Sequence, residues 1–121
     1  METLELQYEK LESNVGLVHL SGRLDVPGVQ GIDLKFTVYT ATQRLPVVVD
    51  LENVTLITSM GLAMLITNAK SLKNQGVPFI LLNPQPQVEK VIVMSGLEGF
   101  LPIERDLSSA LQRIKNPPPS T

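Results

Sequence analysis

The 121-residue chain is long enough for one domain with a real hydrophobic core and too short for two ordinary ones. It has no cysteine, which excludes disulfides, thiolate metal sites and cysteine nucleophiles, and its 10 basic and 12 acidic residues, net −2, are scattered, leaving no cationic stripe for a nucleic acid. No apolar run approaches the ~20 residues of a membrane-crossing helix, and the start METLELQYEKLE lacks the basic-then-apolar pattern of a secretory signal, so a cytoplasmic protein that does not insert into a membrane is expected.

Leu4 to Glu12 and Val15 to Leu20 alternate or are rich in branched apolar residues, and the turn-like Ser13-Asn14 between them predicts a hairpin. Ser21-Gly22-Arg23-Leu24-Asp25 leads into a segment where Val29, Ile32, Phe36 and Tyr39 recur at helical spacing, with Pro27 acceptable at its start. Leu45 to Leu51 is a continuous branched apolar run, as expected of a central strand covered on both faces. After Val54-Thr55-Leu56-Ile57, the residues Leu62, Leu65, Ile66, Ala69 and Leu72 describe the clearest helix, closing at Gly76 with Pro78 behind it. Pro78 to Leu82 reads as another strand, and Val88, Val91 and Ile92 as a short helix stopping at Gly96. Phe100 to Ile103 is a candidate last strand. Asp106 is a plausible N-cap for a final helix carrying Leu107, Ala110, Leu111 and Ile114. The proline-rich 116–121 is expected to be a disordered tail. The expected architecture is α/β, a mixed sheet of four to five strands with about four helices packed on it.

Nucleotide-binding glycine loops and zinc-protease motifs are absent, and no metal or cofactor is expected. The one histidine, His19, sits in a predicted strand and is read as an ordinary sheet residue, and Asp50 and Glu52 as carboxylates meeting solvent near a strand end. The junction Ile57-Thr58-Ser59-Met60-Gly61-Leu62 carries more chemistry, because a strand end there hands over to a strong helix. The edge beyond the carboxyl ends of strands is where ligands and partners approach an open α/β sheet. Thr58 or Ser59 is expected to cap the helix with its hydroxyl. A phosphoryl group on Ser59 would add about −1.5 to −2 charges at the positive helix end, transforming the surface without disturbing the fold. A cap serine and a phosphoacceptor both remain open.

The chain resembles the STAS domains, and among them the free-standing bacterial anti-sigma factor antagonists, over almost all of Met1 to Ile114. Ser21-Gly22-Arg23-Leu24-Asp25 is similar to the family's G-x-L-D turn. Val48 to Val54 followed by Ser59-x-Gly61-Leu62 resembles its central signature, and Leu82-Asn83-Pro84 with Val88 and Ser95-Gly96-Leu97 resembles its closing segment. The resemblance implies a STAS domain over 1–115 that is a binding module rather than an enzyme. It would dock to an anti-sigma factor with serine kinase activity until Ser59 is phosphorylated, and a serine phosphatase would restore it. Ser59 is the matching serine, with Asp25, Thr58, Met60, Gly61 and Leu62 around it on the implied docking face; for Asp25 a helix-capping role stands beside docking. The family usually has aspartate before that serine and serine or threonine after it, where this chain has Thr58 and Met60.

The alternative within the same fold is a constitutive interaction subunit of a lipid-transport or signalling complex, working without phosphorylation. A two-component receiver would suit the size, but it needs an acidic pair after its first strand and a late lysine, and no lysine follows Phe100 until Lys115. A monomer or weak dimer is expected.

Overall fold

A computed structural model describes residues 4–116. A hairpin precedes alternating helices and strands: β1 (Glu5–Lys10), β2 (Gly16–Leu24), α1 (Val26–Tyr39), β3 (Val47–Ile57), α2 (Ser59–Asn74), β4 (Phe79–Leu82), α3 (Pro86–Met94), β5 (Ile103–Glu104) and α4 (Leu107–Lys115). They form one mixed sheet in the order β1-β2-β3-β4-β5, antiparallel between β1 and β2 and parallel elsewhere. The expected mixed α/β architecture is therefore what the chain adopts. Of the expected tail, all but Asn116 lies outside the described residues.

Each parallel step moves one strand further in the same direction, and crossovers of a single hand then put their helices on one face. Val29, Ile32 and Phe36 of α1, Leu65, Ala69 and Leu72 of α2, and Val88 and Ile92 of α3 accordingly share one core with Leu20, Val49 and Leu51 of the sheet. On the opposite face α4 lays Ala110, flanked by Leu107, Leu111 and Ile114, over Leu17, Val48, Ile80 and Leu82. This double cover buries Val47, Val48 and Val49 completely and accounts for their uninterrupted apolar run. Thr40 and Asn68 are the buried polar contact of the core, the Thr40 hydroxyl lying 2.8 Å from Phe36 O and 3.0 Å from Asn68 Oδ1, so the end of α1 is bonded to the middle of α2.

Three sequence expectations change. Ser21 to Leu24 is not a turn: β2 runs on to Leu24, opposite Asn53, Val54, Leu56 and Ile57, with Gly22 taking φ 115° at one of two register shifts. Val54 to Ile57 continues the central strand, making β3 eleven residues long. Glu52 and Asn53 are both exposed beside a register shift, and this irregularity breaks the inside–outside alternation that would have marked one strand. The last strand is Ile103–Glu104 rather than Phe100 to Ile103, because Phe100 N and Leu101 N bond back to Leu97 O and Glu98 O in a turn.

Candidate functional site

The carboxyl ends of β2 and β3 are joined at Leu24. Its carbonyl oxygen, with two lone pairs to offer, accepts both the amide and the hydroxyl of Thr58, each at 3.0 Å. Thr58 occupies the N-cap position of α2 with extended backbone, yet neither its hydroxyl nor that of Ser59 caps the helix, contrary to expectation. The strand-end carbonyl holds the Thr58 proton instead, which leaves the first-turn amides of α2 open at the positive end of the helix. Gly61 completes the contact. A Cβ there would stand 2.6 Å from Leu24 O and 2.7 Å from Leu24 Cβ, so the first turn of α2 lies against the end of β2 as only glycine allows.

The neighbouring helix α1 begins at the same end of the sheet. Asp25 is its N-cap: Oδ1 accepts the Gly28 amide at 2.9 Å while Oδ2 accepts Arg23 Nε at 3.0 Å. The Gly28 amide first, and then the Arg23 guanidinium, hold the Asp25 carboxyl below its usual range. Asp25 thus carries a capping role in the fold, and its half-exposed position leaves it reachable from solvent.

Around this junction the side chains divide. Ser59 is exposed and its hydroxyl has no hydrogen-bond partner among the described residues. Met60 is 41% exposed, and Val26, the first residue of α1, is 45% exposed. Thr58 is half-buried, Gly61 is buried, and Leu62 packs against the core. The surface at this sheet end is therefore a free hydroxyl with apolar neighbours and a paired carboxylate, while Gly61 and Leu62 support it from below. Val26 and Arg23 were not singled out in the sequence; the signal available was their position on either side of Leu24-Asp25.

A second polar group lies on the α4 face of the sheet, beyond the part that α4 covers. His19 Nδ1 is 2.8 Å from Asp50 Oδ2, and His19 Nε2 is 3.7 Å from Glu9 Oε2, so three adjacent strands meet at one imidazole. Asp50 lies in the middle of β3, its side chain only 13% exposed, and not at a strand end open to solvent. His19 is a cross-strand tie more than a bystander. Among the described residues no group of three or more His, Asp or Glu could hold a metal ion, and no helix is long and apolar enough to cross a membrane.

The STAS domain model matches residues 7–110. An anti-sigma factor antagonist from Mycobacterium paratuberculosis superposes with a TM-score of 0.84 at 22% identity, over 94% of this chain and 96% of that one. SpoIIAA, an anti-sigma factor antagonist, matches in its unphosphorylated form with a TM-score of 0.73 at 23% identity, over 95% of this chain and 100% of its own. The phosphorylated form of SpoIIAA, described as a Bacillus cell fate determinant, matches at 0.68 and 24%, over 91% and 99%. The same fold covers 22% of the murine anion transporter Slc26a9, where 95% of this chain matches at 14% identity and a TM-score of 0.73. With a family model spanning most of its length and a sheet, helices and strand-to-helix junction to match, the chain belongs to the STAS domain family.

Proposed function

We propose that this protein is a cytoplasmic anti-sigma factor antagonist, a binding module rather than an enzyme. It docks on an anti-sigma factor with serine kinase activity through Ser59, Met60 and Asp25, and is released when Ser59 is phosphorylated; a serine phosphatase resets it. The observation that carries this reading is the exposed, unbonded Ser59 hydroxyl at the first turn of α2, with the apolar surface of Met60 and Val26 at the same sheet end. A dianionic group there is compatible with the fold, since the α2 amides face it, yet it opposes any partner that must bury it against an apolar patch. The fold shared with SpoIIAA, solved both with and without phosphate, supports the reading further.

One observation favours the constitutive reading. Thr58 stands where the family usually carries aspartate, and its hydroxyl is committed to Leu24 O, so a kinase that reads a carboxylate beside the serine finds none. The test uses the purified protein and its Ser59→Asp variant as baits in lysate of the source organism, with mass spectrometry of what each retains. The native form is expected to hold an anti-sigma factor that, given ATP, phosphorylates Ser59. The variant is expected to bind it at least tenfold less well, about 1.4 kcal/mol. Equal retention of the same partner by both forms would instead assign a constitutive STAS subunit.

A further inference from the structure

Away from Ser59, where β3 and β4 begin, the surface carries a groove of about 390 Å³. Helix α2 has 16 residues, and at ~1.5 Å each its two ends stand about 24 Å apart, with Ser59 at one and this groove at the other. The groove is lined by Ala69, Val77, Phe79, Phe100 and Pro102, with Lys73 on its rim. Gly76 and Gly99 border it with bare backbone, where an added Cβ would meet nothing within 4 Å.

Two ammonium groups share the Phe100 ring, Lys73 Nζ at 4.7 Å from its centroid and Lys70 Nζ at 5.1 Å. Attraction to the ring face explains why each sits there, and Lys73 also meets the negative end of α2. Neither interaction neutralises the charge. Arg23, Arg105 and Arg113 each have a carboxylate partner, whereas no lysine among the described residues has one, Lys70 and Lys73 included. No acidic side chain lines the groove, although the chain carries more acidic than basic residues. An apolar groove with Lys73 in its wall and Lys70 on the same Phe100 ring calls for an occupant with an apolar anchor and several negative charges. Because Lys70 and Lys73 lie about one helical turn apart, a segment with more than one carboxylate meets both, where a single carboxylate would leave one unanswered.

We propose that this groove is a second docking surface, which takes an acidic protein segment with one large apolar side chain against Phe100 and its carboxylates on Lys70 and Lys73. A partner held there is a helix length away from Ser59, so the module can keep it whatever the state of that serine. The proposal stands independently of the role assigned to Ser59.

The probe is an acetylated pentapeptide of four glutamates around a central phenylalanine, titrated into the full ¹⁵N-labelled chain while backbone amide shifts are followed by NMR. Shifts are expected at Gly76, Val77, Phe79, Gly99 and Phe100, with Ser59 and Met60 unmoved. They should be at least tenfold weaker in the Lys70→Gln/Lys73→Gln variant, whose unchanged remote amides report that it folds, and fully retained in Ser59→Asp. The proposal is overturned if those amides do not move, if a peptide with lysines in place of the glutamates binds equally well, or if the double variant binds as the native chain does. Decanoate shifting the groove amides where the peptide does not would assign the groove to a small amphiphile, and concentration-dependent shifts without peptide would assign it to a second copy; both also overturn it.

Discussion

Gly61→Ala tests the close approach on which the candidate site is built. In an ordinary helix this substitution stabilises by about 0.5–1 kcal/mol, because alanine has less backbone freedom to lose. Here the new methyl would lie 2.6 Å from Leu24 O, 2.7 Å from Leu24 Cβ and 3.1 Å from Ile57 Cγ1, and two of those atoms belong to the end of a paired strand that cannot swing away. Overpacking of this kind costs about 1–3 kcal/mol, and separating α2 from β2 also stretches both Thr58 bonds to Leu24 O, each worth about 0.5–1.5 kcal/mol. The net expectation is a loss of about 1–2 kcal/mol. At ~2.1 cal/mol/K of unfolding entropy per residue, a chain of this length loses about 4 °C of Tm per kcal/mol, so Tm should fall by about 4–8 °C in a thermal melt followed by circular dichroism at 222 nm. Gly31→Ala is the matched control. It sits on the exposed side of α1 with nothing within 4 Å of its would-be Cβ, and should raise Tm by about 2–4 °C. Shifts of the same sign in both variants would refute the reasoning.

Other perturbations separate the remaining contacts. Thr40→Val removes the single hydroxyl proton shared between Phe36 O and Asn68 Oδ1 and leaves that amide oxygen buried without a partner, so a loss of about 1–3 kcal/mol in urea unfolding is expected. Asn68→Leu leaves Thr40 bonded to Phe36 O and should cost less; the reverse order would contradict this account of the pair. Asp25 is held below its ordinary pKa, so its contribution to stability is present above about pH 4, the unfolded carboxylate range, and is lost as pH falls through the lower folded value. The stability gap between native and Asp25→Asn should therefore close on acidification, because asparagine keeps the cap and loses only the charge, and a gap that stays constant from pH 6 to pH 2 would mean that the carboxylate charge contributes nothing. His19→Ala should speed hydrogen exchange in β1 more than in β4, because the imidazole bonds Asp50 of β3 and lies 3.7 Å from Glu9 of β1; an equal change in both strands would mean that the contact contributes nothing.

Periodicity was a good guide wherever one element met one environment. The α2 stripe of Leu65, Ile66, Ala69 and Leu72 and the run Val47 to Val49 are legible because each sees a single pattern of cover. It failed where the cover changes along an element. Beyond Asp50 the outer face of β3 leaves the shelter of α4, and with the register shift at Glu52 and Asn53 one strand reads as a strand and a loop. The Asp25 cap was visible as a residue type before a helix, but the Thr58 hydroxyl was not, since its acceptor, Leu24 O, is 34 residues away and exists only when β2 and β3 pair. The His19–Asp50 contact is hidden for the same reason, its partners lying 31 residues apart and joined only by register.

These contacts also constrain how a change at Ser59 could act. The start of α2 is fixed by two hydrogen bonds from Thr58 to Leu24 O and by the contact of Gly61 with the same residue, all at the closed end of a parallel strand pair. A charge added one residue further on would have to break these bonds and separate two packed surfaces to move the helix, while interaction with the helix end supplies only about 0.3–1 kcal/mol per charge. That favours a charged surface on an unmoved backbone over a conformational change. Partner release under the proposed reading would then depend on electrostatics and desolvation at the interface. Phosphorylated and unphosphorylated protein should accordingly give the same amide shifts away from the first turn of α2 while differing in affinity, and shifts spread along β2 and α1 would point to a moving junction instead.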